Sequence, residues 1–244
     1  MTQVLDAVAA PNSFVARRDA RWKLAALTLA IVAAAVIRTP PFIASAACGA
    51  ILLLVLSRFS RSVILSRLVG PGLFLLPFLL LLPLIQGSRG AMTALIVGTR
   101  AMTLLILGIV LFTTSPMHRN MQAAQALGMP IVLTQIGLMS YRYLFVLRDE
   151  FHRIRIALRV RGFRSGANRR SYRIVGHVGA MLLVRGDERA ERVAQAMRCR
   201  GFDGRLRSLS PFQTRYADVL FFAIIVAVSV AIVAGDLALR HLGG

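Results

Sequence analysis

Apolar residues in this chain fall in long unbroken runs, broken by short polar stretches that are rich in arginine. A hydrocarbon core of roughly 30 Å takes about 20 helical residues. By that measure five runs are candidate membrane spans: 22–37, 41–56, 68–86, 91–114 and 217–239. The first two are short and are separated only by Arg38-Thr39-Pro40-Pro41, which predicts a tight helical hairpin. The third carries Pro71, Pro77 and Pro83. It is expected to bend, as membrane helices can where neighbours satisfy the freed carbonyls.

No single apolar run crosses the stretch of about 100 residues between the fourth and fifth spans. Ser115 and Pro116 predict a capped helix start, and Gly128 with Pro130 a stop. The short helix between them would carry Met117, Met121 and Ala124 on its apolar face. From Pro130 one long helix is expected to run to Arg161, apolar at first, interrupted by Gln135 and Arg142, then densely basic. After a loop over 163–171, a second long helix should reach Arg200, again passing from apolar to charged. In its second half Ala190, Val193, Ala194 and Met197 recur at helical spacing, so one stripe packs while the other faces water. The expected fold is all-α, a polytopic membrane protein with about five transmembrane helices. Its parts would be a four-span membrane domain over 1–114, a helical module over 115–215 and a final transmembrane helix over 216–244.

Both long helices end on one short pattern. Ala157-Leu158-Arg159-Val160-Arg161-Gly162-Phe163 is matched 39 residues later by Ala196-Met197-Arg198-Cys199-Arg200-Gly201-Phe202. The likeness extends upstream, with Arg153 matching Arg192 and Ile154 matching Val193. Each glycine stands just past the helix end, where a left-handed backbone costs least, and each phenylalanine can fold back on Leu158 or Met197. Arginines in the last turn suit the negative end of the helix dipole and present guanidinium forks at an abrupt tip. Ala157 and Ala196 lie one turn before Arg161 and Arg200, leaving a face small enough for another surface to approach closely.

Composition sharpens this picture. Across 244 residues the chain is 57% hydrophobic with mean hydropathy +0.67, yet it carries a net charge of +20. That combination requires one part in the membrane and one part in water. All the basic residues are arginine except Lys23. The cysteines, Cys48 and Cys199, supply neither a disulfide framework nor a zinc pattern. The first 21 residues are polar, and the apolar stretch after them lacks a small-residue cleavage site, so no cleavable leader is expected. Arginines concentrate in the N-terminal segment (Arg17, Arg18, Arg21), the second-to-third loop (Arg58, Arg61, Arg67) and the large insert, while the opposite loops hold only Arg38, Arg89 and Arg240. Cytoplasmic loops carry such an excess. The N-terminus and the insert are therefore expected inside and the C-terminus outside.

Other polar residues carry less. Arg100 lies inside the fourth span, at a cost of about 2.5 to 3.5 kcal/mol on insertion scales. It needs a partner, either Asp236 or backbone carbonyls, or else an interface. His118, His152, His177 and His241 are scattered, so no metal site is expected. Met117, Met121, Met129 and Met139 suit an adaptable packing surface.

The duplicated Ala-x-Arg-x-Arg-Gly pattern, with Arg189-Ala190-Glu191-Arg192 before its second copy and Phe202-Asp203-Gly204 after it, resembles the transmembrane coupling component of energy-coupling factor transporters. It is most similar to the cobalt and nickel type, the CbiQ family, over nearly the whole chain. The family core is Ala-Arg-Gly, and Val160 and Cys199 stand here in place of its alanine. The resemblance implies a non-catalytic subunit of a bacterial inner membrane importer whose insert forms three coupling helices. It implies that Ala157, Arg159, Arg161 and Gly162, with Ala196, Arg198, Arg200 and Gly201, dock two cytoplasmic ATPase subunits. It also implies a membrane substrate-capture subunit as partner, with Met117, Met121 and Arg100 as candidate contacts. No cofactor is expected, ATP being bound by the partners, because the chain has no glycine-rich Walker lysine loop. Cobalt or nickel is the expected cargo, a vitamin the alternative. An enzyme acting on lipid phosphates would use the arginines as clamps, but the acids Asp149, Glu150, Asp187, Glu188, Glu191 and Asp203 show no metal-phosphate pattern. Nucleic-acid binding would explain the charge but not two glycine-stopped ends, so no nucleic-acid partner is expected.

Overall fold

A computed structural model describes residues 18–57, 61–164, 166–204 and 214–242. Arg17, Arg58 and the link over 205–213 lie outside the described residues, as do the side chains of Arg61, Arg89 and Arg240. The described chain is a series of helices without strands, as the sequence predicts: α1 (Ala20–Val36), α2 (Pro40–Leu56), α3 (Arg61–Thr113), α4 (Met117–Ala126), α5 (Ile131–Val160), α6 (Arg169–Cys199) and α7 (Tyr216–Leu242).

By compactness the chain forms two units, residues 1–128 with 210–244, and residues 129–209. In the first unit α1 packs against α7, α3 and α4, and α2 against α3 and α7. The shared core is built around Ala26, Leu27, Ala50, Val110 and Phe221. The small residues let the helices approach closely.

Physical cues in the sequence explain the breaks. Ile37 and Thr39 are extended (ψ 135° and 138°), and prolines open α2, which makes the expected hairpin between α1 and α2. Within α3 the three prolines stay inside the helix, and the residue that leaves helical dihedrals is Gly87, at φ 61°. That turn folds α3 into two antiparallel limbs: a Cβ on Gly72 would lie 3.3 Å from Met102, and one on Gly98 3.3 Å from Leu79. Arg67 closes the far end of this pair by donating to the Thr113 hydroxyl.

Among the described residues three segments are long and apolar enough to cross a membrane: Ile64–Ile85, Gly90–Thr113 and Tyr216–Leu239. Helices α1 and α2 have 17 residues each, about 26 Å at 1.5 Å per residue. That is short of a full hydrocarbon core, so the count of five spans remains an expectation. None of the most apolar stretch of Ile64–Ile85 is buried within the protein. Phe74, Phe78 and most of its leucines, among them Leu73, Leu80 and Leu84, are exposed, as a lipid-facing helix requires.

Buried polar groups sit near the helix ends of this unit. At one end Asp19 caps α1, accepting from the Arg21 amide at 3.1 Å, and takes a bond of 3.4 Å from the Thr214 hydroxyl. Arg18 lies 3.6 Å from the buried Asp218 at the start of α7. Lys23, fully buried, donates to the Thr114 carbonyl at 3.2 Å and to the Ser115 hydroxyl. Those groups follow the C-terminal end of α3, where carbonyls lack helical partners and a cation is favoured. Ser115 is therefore not the cap the sequence suggests: Pro116 holds the cap position of α4, and the hydroxyl serves Lys23 instead. At another helix end Asp236 accepts from the Arg38 and Thr39 amides, at 3.3 and 2.9 Å, and from the Thr39 hydroxyl, tying the α1–α2 turn to α7.

The second unit contains α5 and α6. The boundaries of these helices match the two long helices expected from the sequence to within a residue, except that α6 begins at Arg169, three residues earlier than the expected loop over 163–171 would allow.

Candidate interaction tips on two crossed helices

Both helix stops are formed as the sequence implies. At the end of α5, Arg161 is the cap, Gly162 has φ 76°, and the Gly162 and Phe163 amides donate to the Arg159 and Leu158 carbonyls at 3.0 Å each. At the end of α6, Arg200 is the cap, Gly201 has φ 71°, and the Gly201 and Phe202 amides donate to the Arg198 and Met197 carbonyls at 3.0 and 3.1 Å. This paired bonding, with the first residue past the cap left-handed and the second reaching back to the last turn, is the Schellman arrangement. It satisfies carbonyls that a helix end otherwise leaves open.

Every residue the sequence assigns to docking is exposed: Ala157, Arg159, Arg161 and Gly162, and Ala196, Arg198, Arg200 and Gly201. Val160, between the two arginines of the first copy, is 83% exposed. The tips thus hold their shape through backbone bonds and leave their side chains free for another surface. Leu158 and Met197 turn partly inward.

The two helices meet near their middles. Leu147 on α5 approaches Gly186 on α6, where a Cβ would lie 3.9 Å from the leucine, and Glu150 forms an ion pair with Arg185 beside it. On either side of this crossing the helices diverge around a cleft. One, of about 580 Å³, is lined by Met139, Tyr143 and Leu144 on α5 and by Ala190, Ala194 and Met197 on α6, so it runs up to the second tip. The other, of about 610 Å³, is lined by Phe151, Leu158 and Phe163 with Val175, Val178 and Leu182, and it runs up to the first tip. Leu158 and Phe163 share this lining, so the expected fold-back of Phe163 leads into the cleft, whereas Phe202 is exposed.

Anchors differ at the two tips. Asn168 caps α6 by accepting from the Ser171 amide at 3.0 Å, which fixes the loop after the first tip. Gln135, a polar interruption in the apolar half of α5, donates to the Gly204 carbonyl and so holds the chain after the second tip. The isolated polar residue in an apolar run was the available signal for that role.

The remaining candidates lie in the first unit. Arg100 donates to the Ile37 carbonyl, the backbone alternative among those the sequence left open, and so supports the end of α1. Met117 and Met121 on α4 are half-buried. The face α4 buries carries Asn120 and Ala123, not the Met117, Met121 and Ala124 stripe expected to be its apolar side. A buried asparagine cannot be recognised from hydrophobic spacing.

Residues 11–211 match the CbiQ family, described as cobalt transport protein. A protein named cobalt transport protein CbiQ from Rhodobacter capsulatus is 30% identical over 129 residues, covering 53% of this chain and 52% of that protein. An uncharacterised protein of Methanocaldococcus jannaschii is 28% identical over 121 residues, covering 50% of this chain and 45% of that protein. The chain spans about half the length of these curated relatives.

Proposed function

The chain belongs to the CbiQ cobalt transport protein family, and from that premise we propose that it is the membrane coupling component of an ATP-driven cobalt or nickel importer. Two cytoplasmic ATPase subunits dock on the tips of α5 and α6, within a coupling module over 115–215, and a separate membrane subunit captures the cargo. ATP binding closes the ATPases, moves the two tips, and the crossed helices pass that motion to the capture subunit. The N-terminus and the insert face the cytoplasm, following the arginine excess.

The observation that carries this reading is the pair of identical stops. Two helix ends share one left-handed glycine, one pair of backbone bonds and exposed arginines. Generic surface helices have no need of such a match. The reading also fits the acids of the insert that have visible partners: Glu150 pairs with Arg185 and Glu188 with Arg192 at 3.9 Å, which uses them as structural ions.

The test is co-expression with candidate ATPase subunits, followed by purification in mild detergent and cobalt uptake in cells. Arg161→Ala with Arg200→Ala should strip the ATPases and abolish uptake, since losing one partner of a buried charge-assisted contact costs about 2 to 5 kcal/mol. Lipid-facing arginines contribute only about 1 kcal/mol each. Arg148→Asp, an exposed change away from both tips, should leave retention intact. Equal retention in all three proteins would exclude tip docking.

A further inference from the structure

The two tips share backbone and motif but not charge. Aligned at their offset of 39, residues 151–164 carry Arg153, Arg155, Arg159, Arg161 and Arg164 and no acid, for a formal +5 with His152 neutral. Residues 190–203 carry Arg192, Arg198 and Arg200 against Glu191 and Asp203, for a formal +1. Arg164 and Asp203 occupy the same place, two residues past the glycine, so the sign reverses there. Arg155 falls where the second copy has Ala194. All these charged side chains are exposed.

The clefts repeat the contrast. Arg155, Arg159 and Arg164 line the cleft beside the first tip, around Leu158 and Phe163. Beside the second tip the charged lining residue is Arg189. Similar volumes and the same stop geometry are thus paired with different fields.

We propose that the tips are not interchangeable: the first captures an ATPase surface whose groove has an acidic rim, by long-range attraction, and the second docks by fit with little attraction at a distance. This rests on the coupling reading above, with the ATPase subunits as occupants. A flat anionic bilayer would also attract the first tip, but it has no use for a helix end held by a left-handed glycine and two backbone bonds. A protein groove does, because it receives a tip of defined length and direction. Clustered charge raises association rates by about 10- to 1000-fold, with a steep dependence on salt. Its range is set by a Debye length of about 10 Å at 0.1 M and about 3 Å at 1 M.

The experiment uses the full chain in phosphatidylcholine nanodiscs, with the ATPase association rate measured from about 0.05 to 0.5 M sodium chloride. For the unaltered chain the rate should fall at least tenfold over that range. Arg164→Asp gives the first tip the acid that the second has at that place, lowers its formal charge from +5 to +3, and should flatten a tenfold fall to about fourfold, in proportion to the charge left. Asp203→Arg should steepen it, a gain that misfolding cannot imitate. Arg148→Asp changes the charge equally, on α5 and twelve residues (about 18 Å of helix) before that helix ends at Val160, and should leave the slope unchanged. Equal flattening by Arg164→Asp and Arg148→Asp would overturn the proposal in favour of a diffuse field. So would a response to salt that appears only when phosphatidylglycerol is added, since the occupant would then be lipid. Failure of Arg161→Ala with Arg200→Ala to release the ATPases would reject the coupling reading itself. If that variant does release them while Arg164→Asp keeps the original slope, only the inequality of the tips fails.

Discussion

Replacing the stop glycines tests whether tip shape, apart from charge, carries the docking. A Cβ added at Gly162 or Gly201 would meet no atom within 4 Å, so there is no steric neighbour to displace. The whole cost is in the backbone, held at φ 76° and 71°. A left-handed conformation costs an L-residue about 1 to 2 kcal/mol. If the tip must hold that shape to dock, the strain lowers the competent fraction and weakens retention by about 5- to 30-fold per tip. Asparagine visits this region far more readily than alanine, and a β-branched residue is worst placed there. Retention of the ATPases should therefore rank glycine, then asparagine, then alanine, then valine, at either position. Protein levels should hardly change, because both sites are exposed and make no side-chain contact. The assay is ATPase retention on purified chain, normalised to membrane expression, with uptake measured in parallel. Equal retention for asparagine and valine at both sites would refute the argument, since those two differ chiefly in tolerance of positive φ.

Two further predictions concern packing in the first unit and the sidedness of the chain. A Cβ at Gly235 would lie 2.7 Å from two ring atoms of Phe42, beside the Asp236 clamp, so Gly235→Ala should destabilise by about 1 to 3 kcal/mol, as overpacking does; Gly235→Ala with Phe42→Leu should recover much of the loss in a detergent thermal-unfolding assay, and no loss in the single variant would place that contact wrongly. A reporter fused after Ser165 should read as cytoplasmic and one after Leu242 as external, and a cytoplasmic C-terminal reporter would remove the five-span arrangement.

Much of the second unit was legible because its signals are local. A glycine followed by phenylalanine after a basic helical turn specifies the stop without reference to any other segment, and the structure forms it twice. Helix class and approximate ends followed from run length and from Pro40, Gly128 and Pro130. What the sequence hid depends on contacts far apart in the chain. The Ser115 hydroxyl reads as a helix cap until Lys23, 92 residues away, reaches it. Asn120 reads as the polar side of α4 until α1 packs across the unit. The α1–α2 turn looks self-sufficient, with its prolines, yet Asp236 holds it from 197 residues away. The reversal at Gly87 falls in the gap that the apolar runs leave between 86 and 91, whereas the bend expected from Pro71, Pro77 and Pro83 is not a break, because all three stay inside the helix.

The crossing of α5 and α6 separates leverage from recognition. Leu147 lies 14 residues before Arg161, and Gly186 lies 14 residues before Arg200. Each arm from contact to tip is therefore about 21 Å at 1.5 Å per residue. In the proposed role, a rotation of about 10° at the contact carries either tip through the same distance, on the order of 4 Å from that arm length. Within α5 and α6 the buried residues are Thr134 and Ser171, one near the start of each helix. With equal arms and equal stops, mechanics gives neither tip an advantage. In the proposed role, the difference between the tips that acts at a distance lies in the side chains around the stops, where the sequence sets +5 against +1. The salt dependence of Arg164→Asp and Asp203→Arg therefore reads recognition with leverage held constant.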